Sequence, residues 1–259
     1  MFFLENQDLT NKKAIIRVDL NVPLDKNNNV TDTTRIEACI ETVDKVIKLG
    51  GSCVLISHLG RPKGKDDKLS LKHIVDTVSL ILKRPVAFHK DCIGSEAELA
   101  TSLLEPGQII LMENVRFYEE ETTGDTGFAQ SLSKLGDIYI NDAFGTCHRE
   151  HSSTAVISKF FPGKKFAGKL LQKELEAISQ IADEGKKPVL AILGGAKVSS
   201  KLKILYNLIH KVDRIIIGGG MAYTFIRAKG GTTGNSLFEE ELIENAKEIL
   251  TIAEESGKE

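Results

Sequence analysis

The chain alternates short apolar runs with segments whose apolar residues repeat at helical spacing. Six runs rich in β-branched residues predict strands over residues 12–18, 52–57, 108–113, 137–141, 188–193 and 214–218. Runs that are apolar at nearly every position are typical of strands in parallel sheets that are covered on both faces. The pattern therefore predicts strands buried between two layers of helices.

The segments between these runs predict helices. Between the first two runs, apolar residues recur at helical spacing from Ile36 to Ile47, and Gly50 with Gly51 predicts the end of that helix. A second amphipathic segment follows Ser70. This alternation predicts an α/β fold with doubly wound, Rossmann-like parallel sheets.

A further helix is predicted between residues 170 and 182, and the loop-forming sequences FPGKKFAG and DEGKKP flank it. A helix with such flanks is a candidate connection between domains. We therefore expect a first domain over residues 1–169, an interdomain hinge helix over 170–185 and a second domain over 186–259. The second domain is short for an α/β fold and is predicted to be incomplete.

Composition argues against several classes of function. The 259 residues carry a formal net charge of −2, so a general attraction to nucleic acid or to a membrane surface is not indicated, and any anion site must be local. No apolar run approaches the length of a membrane span and no signal sequence is recognisable, which predicts a cytoplasmic protein. Four widely spaced cysteines predict reduced thiols rather than a metal site or disulfides.

The arginines are few and unevenly placed. Only eight of the 34 basic residues are arginine, and the planar guanidinium binds phosphate or carboxylate in a bidentate geometry that lysine cannot offer. Four of them follow the ends of predicted strands: Arg17, Arg61, Arg116 and Arg149. Any one alone could be a surface charge or a salt-bridge partner.

Together these four arginines predict an anion site, because the carboxyl ends of parallel strands meet at one edge of the sheet. Four uncompensated cations at one edge would repel one another unless a ligand neutralised them. His58, Asp19 and Asn21 also follow strand ends. Taken singly, the histidine could be structural and the other two could be turn residues.

A second candidate site follows the fifth predicted strand. The sequence PVLAILGGAKVSSK predicts a strand, a glycine turn and the start of a helix, where free backbone N–H groups could face a phosphate. Lys197 and Lys201 are four residues apart and are predicted to lie on one helical face. The Walker A spacing is absent. The glycines at 218–220 follow the next strand and would permit close approach of a ligand or simply form a tight turn.

Seven segments of the chain together resemble those of a known family. RVDLNVPLD, TTRIEA, SHLGRP, ENVRFYEEE, NDAFGTCHREHSS, ILGGAKVSSK and IIGGGMAYTF occur in the order and spacing of phosphoglycerate kinases. The resemblance implies that 3-phosphoglycerate is bound by Asp19, Asn21, Arg35, His58, Arg61, Arg116 and Arg149. It implies catalytic roles for Arg35, near the reacting carboxyl group, and for Lys197, at the transferring phosphoryl group. It places five residues beside the nucleotide: Lys201, Gly195, Gly218, Gly219 and Gly220.

The resemblance also implies a reaction. A phosphoryl group would move reversibly between ATP and the C1 carboxylate of 3-phosphoglycerate in glycolysis, giving ADP and 1,3-bisphosphoglycerate, with Mg²⁺ carried by the nucleotide. A monomer without nucleic-acid or membrane partners is expected. Two alternatives stay open: a truncated, non-catalytic 3-phosphoglycerate-binding fragment, and an unrelated sugar-phosphate binder.

Overall fold

The computed structural model describes residues 3–5, 7–183 and 187–258, without the side chains of 181–183. The chain divides into two compact units, Met1–Leu175 and Glu176–Glu259. The division falls inside the helix that was predicted as a hinge, whose observed bounds are Lys169–Asp183. The hinge role stays a prediction, and residues 184 and 185 of the predicted segment lie outside the described residues.

Two parallel sheets form the framework. The strands are β1 Lys13–Arg17, β2 Ser52–Ile56, β3 Val86–His89, β4 Ile109–Met112, β5 Ile138–Asn141, β6 Lys165–Ala167, β7 Leu190–Gly194 and β8 Arg214–Gly218. The first unit holds a six-stranded sheet in the order β3-β4-β2-β1-β5-β6, and the second holds the pair β7-β8. All of the strand pairings are parallel. The predicted class of parallel α/β sheets is confirmed.

Helices connect the strands. They are α1 Thr34–Glu37, α2 Ile40–Lys48, α3 Val75–Leu82, α4 Ser95–Ser102, α5 Glu120–Thr123, α6 Thr126–Ser133, α7 Lys169–Asp183, α8 Leu202–Leu208, α9 Met221–Ala228 and α10 Ile243–Glu255. Short 3-10 turns cover Asp67–Leu69, Leu71–Ile74, Val115–Phe117, Phe144–Thr146, Ile157–Phe160 and Glu240–Leu242, and one π-helical turn covers Ser152–Val156. None of the helices over the described residues is long and apolar enough to cross a membrane.

The sheet of the first unit is covered on both faces. Successive residues of β1 enter different cores, since Ile16 packs with Leu55 on one face and Ile15 packs with Val54 on the other. The alternation follows from the two-residue period of a strand. The near-continuous apolar runs in the sequence are explained by this double burial.

All six predicted strands are present, whereas β3 and β6 were missed. Both strands lie at the edges of the sheet and are only four and three residues long. The helix predicted from Ile36 to Ile47 is two helices, separated by a turn at residues 38 and 39 in which Cys39 N donates to Ile36 O at 3.2 Å. The cysteines are free, as expected, and three of the four are buried.

Candidate anion-binding site

The four predicted strand exits lie side by side. Strands β4, β2, β1 and β5 are consecutive neighbours in the six-stranded sheet, so their carboxyl ends form one continuous edge, here called the carboxyl edge. Arg116 lies in the 3-10 turn directly after β4, and Arg149 follows the 3-10 turn after β5. The topology therefore brings together side chains that are far apart in the sequence.

Three of the predicted arginines share one pocket at this edge. Arg61, Arg116 and Arg149 line a pocket of about 250 Å³ together with His151. Burial and the neighbouring charges of Arg17 and Arg149 lower the pKa of Arg116. Its Nε atom is buried and has no hydrogen-bond partner among the described residues. The pocket therefore presents concentrated positive charge.

Arg17 is not a cation exposed at the carboxyl edge, contrary to the sequence prediction. Its side chain is fully buried. The Nε atom donates to Ser153 Oγ at 2.8 Å, Nη1 donates to the carbonyl of Val18, and Nη2 lies 3.1 Å from His58 Nδ1. Arg17 therefore acts as a buried support for the site rather than as one of its exposed cations.

His58 is a neutral side chain beneath the arginines. It is only 3% exposed, and burial together with Arg17 and Arg116 lowers the pKa of His58 to about 2. A guanidinium has no acceptor, so Nη2 of Arg17 donates and Nδ1 of His58 accepts. The imidazole proton is therefore on Nε2.

Acidic groups compensate part of the positive charge, which corrects the prediction of four uncompensated cations. Arg35 forms a salt bridge with Asp19, and the Arg35 side chain is half exposed. Glu121 is fully buried, and its carboxylate contributes to the field at Arg17 and Arg116. Arg17 and Arg116 are thus partly compensated by Glu121, although an anion would still find net positive charge in the pocket.

Asn21 shapes the loop that carries Arg61. Its Oδ1 accepts a hydrogen bond of 2.7 Å from the Gly60 amide, and Arg116 Nη1 donates to the Gly60 carbonyl at 2.8 Å. Gly60 has a φ of +63°, and a Cβ there would lie 2.8 Å from Leu69 Cδ2. The positive φ favours glycine at this position.

Sequence reasoning missed the residues that hold this site from below. Asn114 is fully buried, and its Nδ2 donates to the carbonyls of Leu59 and Leu69 at 2.8 and 2.9 Å. Its position just after the predicted strand 108–113 was a usable signal. Glu121 and Ser153 gave no such signal, because their partnership joins positions 32 residues apart.

Lys197 and Lys201 lie outside the helix on which they were predicted to share a face. Helix α8 begins at Leu202, and the preceding residues form a turn in which Lys201 N donates to Val198 O at 2.8 Å. The side chain of Val198 is buried in the core of the second unit. Glu239 accepts hydrogen bonds from Ser199 N and Oγ at 3.0 and 2.5 Å. These contacts hold residues 198–201 in a turn, so helix α8 begins only at Leu202.

Comparison with known proteins decides the family. A sequence profile described as phosphoglycerate kinase matches residues 4–259. The chain belongs to the phosphoglycerate kinase family. It is 48% identical over 254 residues to the phosphoglycerate kinase of Azorhizobium caulinodans, and the match covers 98% of this chain and 63% of the relative.

Solved phosphoglycerate kinase structures are also similar. The structure from Coxiella burnetii has a TM-score of 0.84 at 38% identity and covers 97% of this chain and 63% of that one. The structure from Pyrococcus horikoshii has a TM-score of 0.81 at 30% identity, with 98% and 65% covered. The predicted family is confirmed, and the chain spans less than two thirds of the length of these relatives.

Two of the glycines that the phosphoglycerate kinase resemblance placed beside the nucleotide, Gly219 and Gly220, have an internal packing role. A Cβ on Gly219, whose φ is +67°, would lie 2.9 Å from the Gly195 carbonyl oxygen, and one on Gly220 would lie 2.8 Å from that of Ala196. The two turns after β7 and β8 therefore approach each other closely, as tight turns do.

Two lysine side chains are accessible in the same region. Lys197 is exposed and Lys201 is partly exposed, so both ammonium groups could reach a phosphate. Within the described residues no three or more His, Cys, Asp or Glu side chains are grouped closely enough to hold a metal ion.

Proposed function

We propose that the first unit binds 3-phosphoglycerate and that the protein serves reversible phosphoryl transfer between ATP and the C1 carboxylate of this ligand. The pocket formed by Arg61, Arg116 and Arg149 is the observation that carries the proposal. Guanidinium groups bind phosphate in a bidentate manner, and charge-assisted hydrogen bonds are about twice as strong as neutral ones. These three arginines would hold the phosphate of the ligand.

The remaining predicted ligands support the other end of 3-phosphoglycerate. Arg35 is half exposed in its salt bridge with Asp19, which leaves guanidinium donors for the carboxylate of the ligand. His58 would offer its Nε2–H group, and Asn21 would hold the Gly60 loop at the ligand. A ligand with a phosphate at one end and a carboxylate at the other fits this division of roles.

The proposed transfer needs no general base. A simple carboxylate has a pKa of roughly 4 and is ionised at pH 7, so this chain contributes positioning and neutralisation of charge. Arg35 and Lys197 are the proposed catalytic cations, each worth about 3 kcal/mol of transition-state stabilisation by comparison with other preorganised groups. ATP supplies the phosphoryl group when it is bound, with Mg²⁺ on its phosphates.

The nucleotide contacts are proposed from the second unit alone. Lys201 would bind the phosphates of ATP or ADP, and Gly195 with the glycines at 218–220 would lie beside the nucleotide. The support is the exposure of the lysines and the tight glycine turns at the ends of β7 and β8. A glycolytic role as a cytoplasmic monomer completes the proposal.

A non-catalytic 3-phosphoglycerate-binding protein is the second candidate. It is favoured by the location of the anion pocket, whose lining residues all belong to the first unit. A coupled assay of phosphoryl transfer on the purified chain separates the two candidates. Turnover above background supports the kinase, whereas binding of 3-phosphoglycerate without turnover supports the binding protein.

The test of the anion site is calorimetric titration with 3-phosphoglycerate. We expect Arg61→Ala and Arg149→Ala each to weaken binding at least tenfold, because each removes charge-assisted hydrogen bonds worth about 1.5–3 kcal/mol. Added salt should weaken binding to the wild-type chain more than to either variant. Glycerol 3-phosphate, which has no carboxylate, should bind more weakly than 3-phosphoglycerate.

Arg84→Ala is the matched control. Arg84 is a partly exposed arginine that pairs with Asp44 at 3.5 Å and does not line the pocket. Its loss should leave the affinity within twofold of the wild-type value. Wild-type affinity in both Arg61→Ala and Arg149→Ala would show that the pocket is not the binding site, and equal affinity for glycerol 3-phosphate would favour a general sugar-phosphate binder.

A further inference from the structure

Glu121 is the most deeply buried acid near the carboxyl edge, and nothing in the proposed reaction uses it. It lies in α5, after the strand exit that carries Arg116, and its side chain is fully buried. Burial raises the pKa of Glu121, while Arg17 and two hydrogen bonds from Ser153 oppose that rise. A buried carboxylate is costly unless it is paired and hydrogen-bonded, so its contacts need a physical account.

Both carboxylate oxygens of Glu121 bind the same residue. Ser153 N donates to Oε2 at 2.8 Å, and Ser153 Oγ donates to Oε1 at 2.6 Å. Ser153 is itself fully buried, and Tyr139 Oη donates to its carbonyl at 2.9 Å. The glutamate thus fixes both the backbone and the hydroxyl of Ser153.

The directions of the next hydrogen bonds follow from the chemistry of arginine. A guanidinium only donates, so Ser153 Oγ accepts from Arg17 Nε, and because an ionised carboxylate only accepts, Ser153 Oγ donates to Glu121 Oε1. For the same reason, His58 Nδ1 accepts from Arg17 Nη2. The four groups form one buried series of hydrogen bonds in which the direction of every bond is determined.

We propose that Glu121 is a positioning residue of the anion site, which acts through Ser153 and Arg17 to hold His58 as the tautomer with its proton on Nε2. The inference rests on the proposed binding of 3-phosphoglycerate at the carboxyl edge. In this tautomer His58 is a neutral donor to an anion. In the other tautomer Nε2 would be an acceptor and would repel the same anion.

The charges around His58 explain why its tautomer must be fixed. The charged groups that act on it are Arg17, Arg116, Arg149 and Arg35, which come from four different parts of the chain. These cations oppose a charged imidazole, so His58 can help to bind an anion only by presenting an N–H donor. Without a fixed acceptor role for Nδ1, the neutral ring would be free to place its proton on either nitrogen.

The experiment is nitrogen NMR of the imidazole of His58 in the full isotope-labelled chain, together with calorimetry of 3-phosphoglycerate binding. In the wild-type chain we expect one neutral tautomer with the proton on Nε2. Ser153→Ala should produce a measurable population with the proton on Nδ1 and weaken binding about tenfold. Glu121→Gln should shift both readouts in the same direction, and Ser153→Thr, which keeps the hydroxyl, should restore them towards wild type.

Ser152→Ala is the matched control, because it removes a neighbouring hydroxyl that is equally buried. Ser152 Oγ donates to the carbonyls of Glu120 and Asp125 at 2.8 and 2.9 Å and has no part in the series. Its loss should leave the tautomer of His58 unchanged. Equal effects of Ser152→Ala and Ser153→Ala, or a wild-type proton on Nδ1, would overturn the positioning role.

The same data separate this inference from the proposed function. Suppose that the wild-type chain shows the Nε2 tautomer and Ser153→Ala changes it as expected, but the chain does not bind 3-phosphoglycerate. This result would refute the proposed function and support the role of Glu121 in fixing the tautomer of His58. Binding that depends on Arg61 and Arg149 while Ser153→Ala leaves both readouts unchanged would uphold the function and refute the role of Glu121.

Discussion

Two histidines at the carboxyl edge are held neutral by their surroundings. Burial and the charge of Arg17 lower the pKa of His58 to about 2, and burial and the charge of Arg116 lower the pKa of His151 to about 4. His151 Nδ1 lies 3.8 Å from Glu121 Oε1, beyond hydrogen-bond distance. The charges of the arginines, together with burial, therefore keep both histidines neutral at pH 7, which makes the stability of the first unit depend on pH.

We predict that the first unit becomes less stable as the pH falls from 7 to 5, in part because of His58. A histidine whose pKa is lower in the folded state than its unfolded value of about 6.5 binds protons more tightly when unfolded, so acid favours unfolding. For His58 the expected loss in the free energy of unfolding is about 2 kcal/mol over this range. Urea denaturation at both pH values measures it.

His58→Gln supplies the reference for this measurement, because glutamine does not titrate. The variant should lose less stability than the wild-type chain between pH 7 and pH 5, by the same amount of about 2 kcal/mol. Identical pH dependence in the two proteins would mean that His58 is protonated equally in the folded and unfolded states, and the environment described here would be wrong.

At the scale of elements, the sequence predicted the ends of the strands better than it predicted the buried side chains that support those ends. The positions of Arg61, Arg116 and Arg149 after predicted strands sufficed to place them at one edge, because parallel topology makes that edge common. Arg17 was placed at the same edge, yet its side chain turns inward to Ser153. Side-chain direction depends on a partner that is 136 residues away, which no local pattern records.

The second unit shows the same limit. The glycine turn and the helix after β7 were predicted, but Glu239 holds Ser199 in a turn and the helix begins only at Leu202. The edge strands β3 and β6 were missed because so few residues cannot show a clear period. Local patterns thus predicted the order of elements, whereas long-range polar contacts determined their ends.

Asn114 allows a prediction about how an element holds the site. Its amide group binds the carbonyls of Leu59 and Leu69, which closes the loop containing Arg61 onto the 3-10 turn after β4. Asn114→Ala would remove the side-chain donor to the carbonyls of Leu59 and Leu69, so we expect a loss of about 1–3 kcal/mol in the free energy of unfolding. Binding of 3-phosphoglycerate should weaken as the loop loosens.

The control for this prediction is Asn29→Ala. Asn29 is exposed, and its amide donates to Asp25 Oδ2 at 3.0 Å in a surface loop. Its removal should change stability by less than about 0.5 kcal/mol, as is usual for surface positions. Urea denaturation and calorimetry on both variants test the comparison. Equal stability of Asn114→Ala and the wild-type chain would show that another donor replaces the amide.

At the scale of the whole molecule, the two units differ in how well they bury their sheets. The first unit has a core on each face of six strands. In the second unit, Ile217 packs against a core of seven buried residues, whereas Ile216, on the same strand, is 51% exposed. Ile192 on the neighbouring strand is 72% exposed. One face of β7-β8 therefore contributes little burial.

We predict that the second unit unfolds at a lower urea concentration than the first. A sheet of two strands is marginal without further packing, and its stability must come from the single core that holds Ile217. Hydrogen exchange followed by mass spectrometry should show faster exchange over residues 190–218 than over β1 and β2. Ile217→Thr should lower the midpoint of the second unit, while Ile216→Thr, on the exposed face, should not. A single transition with equal protection in both regions, or equal effects of the two variants, would contradict this account, because it assigns the stability of the second unit to one face of its sheet.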